Sequence, residues 1–456
     1  MRDHVQTMVV DWIKRWLPQK TNSIELNTIP RDEHRVSRKD INHTALKVLY
    51  RLQNAGYEGY LVGGCVRDLQ LGLKPKDFDV ATDATPEQVR KLFSNSRLIG
   101  RRFRIVHVTF GREIIEVTTF RGRTDDNNDN HLQKQSDEGL LLRDNVYGSL
   151  EEDAERRDFT VNALYYTPKD FTLKAYGSGM NDLENKVLRI IGDPETRYRE
   201  DPVRMMRAVR FAAKLGFSIE PRTGDLIPEL APLLSNVAAA RLFDEVIKML
   251  MSGHGLSTWR LMREYNLVEP LLPATHAALK ASTDGYYDAF IEQALVNTDD
   301  RINRGKPVTP AFLYAALLWP PVREEAEHSI NMGTPEQPAW LQAMGKIVAH
   351  QISSIAIPKR FSIPMKEIWE LQLRLPKRTP KRAEQVASHP RFRAAYDFLL
   401  LRESAGEKTG NLGQWWTDYQ TENPDIRRDM ASEAASDRPR RRRRRRPPQN
   451  RGESAS

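Results

Sequence analysis

The sequence contains almost no cysteine and no long apolar run, and each scarcity excludes a class of protein. The single cysteine, Cys65, rules out a disulfide framework and a cysteine-rich zinc site, which fits a reducing cytoplasm. No apolar segment approaches the ~20 residues that a membrane-spanning helix needs. We therefore expect a cytoplasmic protein, and its 456 residues can bury more than one core.

Acidic residues are also scarce near the C-terminus, where most of the net charge lies. Residues 426–456 contain eleven arginines and four acidic residues, so they carry +7 of the total +9. Their apolar content falls away, and a run of seven arginines, Arg440 to Arg446, is followed by two prolines. Such a composition cannot pack a core, so the sequence predicts a disordered basic tail from residue 426.

The rest of the chain shows a clear order of segments. Residues 1–40 predict an amphipathic helix, with apolar residues at helical spacing from Val5 to Leu17, and then a polar connector. The helix either docks on protein or, being basic and carrying tryptophans, lies on a membrane surface. Residues 41–192 alternate helix-like and strand-like stretches and predict an α/β head, in which the polar stretch 124–145 predicts a mobile or functional loop. Residues 193–255 and 256–425 are both predicted to be almost wholly helical.

The motif most informative about chemistry contains a pair of carboxylates. Asp77 and Asp79 lie two residues apart at the start of a strand-like segment, so both are expected to point the same way. Parallel carboxylates repel each other unless a cation lies between them, which predicts a hard-metal site. In the β-branched run 112–120, Glu116 is the best candidate for a third carboxylate. The alternative is an edge strand with Glu116 in solvent.

Three further clusters suit the binding of anions. Gly63 and Gly64 would let backbone N–H groups approach a phosphate, and Arg67 could add a bidentate contact. Arg157, Asp158 and Asn162 precede a mixed apolar run, where physics alone allows Asp158 to be no more than a helix cap. In residues 199–216, Asp201 predicts a helix N-cap and Gly216 a helix end. Four cations fall on one arc of that otherwise apolar helix and predict an anion-binding face: Arg204, Arg207, Arg210 and Lys214.

In this order, these motifs resemble the nucleotidyltransferase superfamily, which has the DNA polymerase beta-like fold. The longer sequence that contains these motifs resembles its class II branch, which bacterial poly(A) polymerases and CCA-adding tRNA nucleotidyltransferases share. The resemblance implies a catalytic α/β head, a base-reading helical neck, an RNA-binding helical body and a disordered basic tail. It implies that Arg157, Asp158 and Asn162 contact the ribose and phosphates of the nucleotide. It also implies that Asp201 and Arg204 read the base and that Arg207 lies near the triphosphate.

Residues 98–107 favour the poly(A) branch. Their paired basic residues before an aromatic and a histidine resemble the signature of bacterial poly(A) polymerases, and the segment His389–Asp397 resembles that branch too. The predicted activity is template-independent addition of AMP from ATP to RNA 3′ ends, in mRNA polyadenylation and RNA turnover. The alternatives are a CCA-adding enzyme and a non-catalytic RNA-binding protein with the same fold.

The resemblance also implies the cofactor and the partners. Two Mg²⁺ ions, with Mn²⁺ as the alternative metal, would be held by Asp77 and Asp79, and Glu116 or Asp158 would complete the site. The catalytic carboxylates would be Asp77, Asp79 and Asp158. RNA 3′ ends and ATP are the expected substrates. RNA-degradation proteins are expected partners, membrane contact through the N-terminal helix stays open, and a monomer is expected.

Overall fold

The computed structural model describes residues 26–100, 104–122 and 146–436, together with the backbone of two short strands between them. The chain divides into two compact units, one of Met1–Ala238 with Ser257–Pro270 and the other of Ala239–Leu256 with Leu271–Ser456. Within the described residues, every helix is too short or too polar to cross a membrane. The predicted N-terminal helix and the arginine run lie outside the described residues.

The first unit is built on an eight-stranded mixed sheet in the order β1-β10-β9-β2-β3-β6-β5-β4, and two smaller two-stranded sheets pair β7 with β8 and β11 with β12. The strands are β1 (Leu26–Ile29), β2 (Tyr60–Val62), β3 (Asp79–Thr82), β4 (Ser96–Ile99), β5 (Ile105–Phe110), β6 (Glu113–Thr119), β7 (Gln133–Gln135), β8 (Leu141–Asp144), β9 (Leu164–Tyr166), β10 (Leu173–Tyr176), β11 (Val187–Leu188) and β12 (Ser218–Ile219).

Short helices connect the strands, and longer ones follow them. They are α1 (His43–Asn54), α2 (Gly64–Gln70), α3 (Pro86–Leu92), α4 (Leu150–Arg156), α5 (Gly179–Glu184), α6 (Pro194–Glu200), α7 (Val203–Leu215), α8 (Pro221–Gly224) and α9 (Ile227–Leu230). Four 3₁₀ turns lie at Arg31–Glu33, Arg38–Asp40, Thr160–Asn162 and Ala231–Asn236.

The remainder of the described chain is helical, as the sequence predicts. The helices are α10 (Ala239–Leu250), α11 (Gly255–Glu264), α12 (Val268–Leu271), α13 (Pro273–Ala281), α14 (Tyr286–Asn303), α15 (Pro310–Leu317), α16 (Trp319–Asn331), α17 (Glu336–Ser354), α18 (Lys359–Arg374), α19 (Pro380–Ala387), α20 (Phe392–Ser404), α21 (Leu412–Thr421) and α22 (Pro424–Ser436).

Alternation along the central strands determines which residues face the core. On β6, Ile115, Val117 and Thr119 are buried, and Glu116 lies on the opposite face, as the sequence predicts. The β3–β6 pair is parallel, and its register places Asp79 directly opposite Glu116. The sheet thus brings two predicted site residues from different strands together.

Three segments differ from their prediction. Residues Leu26–Ile29, assigned to a polar connector, form β1 and pair with β10. The polar stretch 124–145 contains the paired strands β7 and β8. Helix α22 continues to Ser436, so structure extends beyond the predicted onset of disorder at residue 426. Ala431 explains this, because it is buried in an apolar cluster with Trp416 and Tyr419.

Candidate active site

A cleft of about 280 Å³ in the first unit collects most of the predicted site residues. It is lined by residues of β2, β3 and β6, of helix α4 and the segment after it, and of the start of α7. The predicted residues that line it are Asp79, Glu116, Arg157, Asp158, Asp201, Arg204 and Arg207. The lining of the cleft therefore combines carboxylates with arginines.

Two neighbouring carboxylates, those of Glu116 and Asp77, influence Asp79. Burial, together with the charges of Glu116 and Asp77, raises the pKa of its carboxyl to about 6, although the cation of Arg157 opposes the rise. Asp77 is exposed and lies just before the strand, and Glu116 is about half exposed. The charges of Glu116 and Asp77 therefore oppose the ionisation of Asp79.

These carboxylates are candidate ligands for a divalent cation. Within the described residues, no three or more His, Cys, Asp or Glu side chains already converge as a complete ligand set. The partly buried Asp79, however, has two neighbouring carboxylates that oppose its ionisation. An added cation would relieve this repulsion, and oxygen donors are what Mg²⁺ prefers. The donor set fits a hard divalent metal in its chemistry.

Asp158 also lines the cleft and is held by several donors. Its carboxylate accepts hydrogen bonds from Arg207 Nε at 2.8 Å, from Asn162 Nδ2 at 3.1 Å and from the Phe159 N–H at 2.9 Å. Burial opposes its ionisation, but Arg207, Asn162 and the Phe159 amide lower the pKa to about 2. Asp158 is a fixed anion rather than a proton carrier near neutral pH.

Arg157 is held by a pair of residues that the sequence analysis did not identify. Its Nη2 lies 3.1 Å from Asp153 Oδ2, and its Nε donates to the Tyr165 hydroxyl at 2.7 Å. The same hydroxyl donates to Asp153 Oδ2 at 2.7 Å. Although burial opposes it, this contact with Tyr165 and Asp153 raises the pKa of Arg157 above its ordinary value. The i, i+4 spacing of Asp153 and Arg157 was the available signal.

The glycine turn lies behind the arginine rather than on the cleft surface. Gly63 has φ 75°, and a Cβ there would lie 3.3 Å from Arg157 Nη1. Gly63 thus lets the backbone pass close to Arg157, whereas a Cβ on Gly64 would lie 3.6 Å from Arg67 Nη2. The two glycines and Arg67 are not among the residues that line the cleft.

Arg67 itself occupies an unexpected environment. Its side chain is only 2% exposed and pairs with Asp68 at 2.6 Å and with Asn162 Oδ1 at 2.6 Å. Asn162, which does not line the cleft either, thereby connects Arg67 to Asp158. In this structure Arg67 supports the carboxylate of Asp158 through Asn162, and its direct contact with phosphate stays a prediction.

The region of Asp201 and Arg204 depends on two further unpredicted residues. Arg204 Nη1 donates to Glu200 Oε2 at 2.8 Å and to the Arg197 carbonyl at 2.7 Å. Burial and the charge of Arg204 lower the pKa of Arg197 to about 10. Helix α7 begins one residue later than predicted, with Pro202 at its N-cap, yet the Asp201 carboxylate still accepts from the Val203 N–H at 3.3 Å.

The predicted cationic stripe of α7 divides into two halves. Arg204 and Arg207 line the cleft, whereas Arg210 and Lys214 do not. The guanidinium of Arg210 lies 4.6 Å from the centre of the Phe211 ring. Burial lowers the pKa of Lys214. The helix ends at Gly216 in the left-handed conformation, as predicted.

The basic segment before β5 is only partly described. Arg101 and Arg102 lie outside the described residues, and Arg104 forms a surface ion pair with Glu87 at 2.9 Å. His107 lies opposite Glu116 in the β5–β6 register, with its Nε2 3.2 Å from Glu116 Oε1. The histidine therefore contacts Glu116, one of the carboxylates that line the cleft.

Comparison with known proteins identifies the class of protein to which this fold and cleft belong. Three family models match: "Poly A polymerase head domain" over residues 59–189, "Probable RNA and SrmB- binding site of polymerase A" over 216–279, and "Polymerase A arginine-rich C-terminus" over 332–450. The crystal structure of the Bacillus stearothermophilus CCA-adding enzyme in complex with CTP matches with a TM-score of 0.52 and 25% identity, over 86% of this chain and 81% of that chain. The fold and the cleft define a nucleotidyltransferase.

Curated relatives place the chain within that class. Poly(A) polymerase I of Escherichia coli is 51% identical over 413 residues, 90% of this chain and 89% of that protein. The CC-adding tRNA nucleotidyltransferase of Halalkalibacterium halodurans is 36% identical over 234 residues, 51% of this chain and 55% of that protein. The chain belongs to the bacterial poly(A) polymerase I family, and the predicted head and helical architecture is confirmed.

Proposed function

We propose that this chain adds AMP from ATP to RNA 3′ ends without a template. The observation that carries the proposal is one cleft lined both by the neighbouring carboxylates Asp79 and Glu116 and by arginines that include Arg157 and Arg207. The carboxylates suit a metal-assisted hydroxyl attack, and the fixed cations suit a triphosphate. The poly(A) polymerase relative matches most of the chain, and the CC-adding relative about half, which favours adenylation over CCA addition.

The acidic residues prepare the reacting ends. We assign Asp79 and Asp77 as the metal-binding carboxylates, and Glu116 as the third, because the pKa of Asp79 is raised by burial and by both neighbours. When bound, Mg²⁺ would promote ionisation of the RNA 3′-hydroxyl and offset charge on the phosphates. Asp158 is less suited to hold metal because Arg207 and Asn162 already engage its carboxylate.

The arginines hold the nucleotide. Arg157 and Arg207 are fixed by Asp153 and Asp158, so their guanidiniums meet a triphosphate with little loss of side-chain entropy. Asp201 and Arg204 would read the adenine edge by hydrogen bonds that another base leaves unmade. Glu200 positions Arg204 for that task. The polar contacts of Asp158, whose carboxylate Asn162 supports, would favour a ribose over a deoxyribose.

The wider expectations rest on the sequence. Magnesium is proposed as the metal, with manganese as the alternative, because the candidate ligands are carboxylate oxygens. A cytoplasmic, monomeric protein that works with RNA-degradation partners stays a proposal, as does membrane contact through the N-terminal segment. The roles of individual site residues are likewise proposals.

Extension of a short RNA with each ribonucleotide separately tests the function. A long ladder with ATP alone, dependent on a divalent cation, is expected for an arbitrary primer. Addition that stops after a CCA triplet, and only on tRNA ends, would assign the chain to the alternative activity. Loss of extension in the Asp79→Asn variant shows that the product comes from this cleft and not from a contaminating enzyme.

A further inference from the structure

A second cavity, of about 660 Å³, lies within the helical second unit. Its walls come from the C-terminal half of α14, from residues 306–313 and from one face along the whole of α20 with the two residues before it. We call it the α14–α20 groove. It includes residues of the segment His389–Asp397, whose resemblance to poly(A) polymerases the active site leaves without a role.

The floor of the α14–α20 groove is apolar and contains an aromatic ring. Phe312, Leu313 and Leu400 line it. The Phe312 ring is half-buried and packs edge-on against Phe398, with the ring centres 5.9 Å apart. A ring anchored in this way presents an apolar surface of the kind on which a nucleobase stacks.

The rim of the groove carries a surplus of positive charge. Its two carboxylates are neutralised, since Asp397 pairs with Arg393 at 3.0 Å and Asp300 with Arg304 at 2.7 Å. Arg301 and Lys306 also line the groove, and among residues 26–100, 104–122 and 146–436 neither forms an ion pair. Arg301 Nη2 donates to the Pro307 carbonyl at 3.1 Å, which holds this guanidinium beside the groove.

We propose that the α14–α20 groove binds single-stranded RNA, with Arg301 and Lys306 contacting phosphates and Phe312 stacking on a base. The inference rests on the proposed function, because it assigns the RNA of the adenylation reaction to a second contact site. A basic rim over an aromatic floor is the arrangement that sequence-tolerant single-strand binding uses. The surplus of positive charge favours RNA over a peptide with few acidic residues, because such a peptide would form no ion pairs with these cations.

The first test compares the full-length chain with the double variant Arg301→Ala/Lys306→Ala. Binding of a fluorescent oligo(A) is measured by anisotropy between 50 and 200 mM salt. Loss of two phosphate contacts makes the plot of log affinity against log salt concentration less steep by about 1.4. The ratio of the parent's affinity to the variant's affinity therefore falls about sevenfold between 50 and 200 mM salt. The matched control is Lys280→Ala/Lys359→Ala, which removes the same charge from exposed positions outside the groove and keeps the parental slope.

A second variant tests the stacking surface. Phe312→Leu lowers RNA affinity about fivefold or more at every salt concentration and leaves the slope unchanged. Phe312→Tyr, which keeps the ring, retains the affinity, and thermal unfolding of both variants reports whether the fold is intact.

The outcomes separate this inference from the proposed function. Equal salt slopes for the parent and the double variant would overturn the RNA assignment and leave the groove to a protein partner. AMP incorporation is measured separately on the parent chain. A chain that binds oligo(A) through the groove but extends no primer with ATP overturns the proposed function and leaves the groove assignment standing.

Discussion

The carboxylate of Asp158 and the guanidinium of Arg207, 49 residues apart in sequence, form a two-donor ion pair across the cleft. It joins the segment after α4 to helix α7 and fixes one of the proposed phosphate ligands. The free energy of this pair can be measured through its pH dependence, because the pKa of Asp158 is lowered to about 2.

Asp158→Asn lowers the free energy of unfolding by about 2 kcal/mol at pH 7. A carboxyl whose pKa is lowered on folding stabilises the protein above its ordinary pKa, and this stability disappears as the pH falls from about 4 towards 2. Denaturant unfolding of parent and variant therefore shows a gap at pH 7 that narrows below pH 4. Glu184→Gln, an exposed carboxyl in the same unit, is the control, and a gap of the same size at every pH would contradict the role of the ion pair.

Asp79→Asn has the opposite effect on stability. The pKa of Asp79 is raised to about 6, so its ionised form destabilises the folded protein once the pH passes from about 4 to above 6. Without divalent metal, the variant is more stable than the parent by about 1–3 kcal/mol at pH 8, and the two converge near pH 4. Its activity falls about a hundredfold or more.

Asp77→Asn separates the effect of the carboxylate pair on stability from its effect on activity. Asp77 is exposed, so its removal leaves the free energy of unfolding nearly unchanged while activity falls as it does for Asp79→Asn. Activity within tenfold of the parent at saturating Mg²⁺, in either variant, would refute the metal assignment.

Arg204→Ala reduces the preference for ATP over CTP, and not only the rate. Base discrimination rests on hydrogen bonds worth about 1–3 kcal/mol, so the ratio of kcat/KM values falls about 5- to 150-fold. Arg199→Ala is the matched control, because Arg199 is exposed and pairs only with Glu195 in the contacts of α6. An equal loss of kcat/KM with both nucleotides would reassign Arg204 to triphosphate binding or to packing.

Deletion of residues 437–456 weakens RNA binding at low salt and leaves the chemical step on a short primer largely intact. The segment holds nine arginines and two acidic residues, and each phosphate contact contributes about 0.7 units of salt slope on a single strand. A salt titration of RNA binding checks this, with serine in place of Arg440–Arg446 as a control of equal length. Coinciding slopes would mean that the segment binds something other than RNA.

The longer deletion, of residues 426–456, has a second effect. It removes Met430 and Ala431, which pack in the apolar cluster of α18 to α22. The melting temperature therefore falls with this deletion and not with removal of 437–456. Only the shorter truncation isolates the contribution of the charge.

Sequence alone determined the residue types and their local setting. Alternation on β6 separated Glu116 from its buried neighbours, and the α7 pattern gave a helix with Gly216 at its end, because both follow from the period of a single element. The motif order gave the family for the same reason, since the spacing of Gly63, Asp79 and Asp158 is a property of the chain itself.

Tertiary structure decided which side chains meet. The parallel β3–β6 register places Asp79 beside Glu116, and neither strand encodes its partner. Arg67, whose contact with phosphate stays a prediction, is buried and donates to Asn162, a residue 95 positions away that its own segment does not reveal. Contacts between residues distant in sequence depend on the whole fold, since burial and pairing energies act only after the elements have packed.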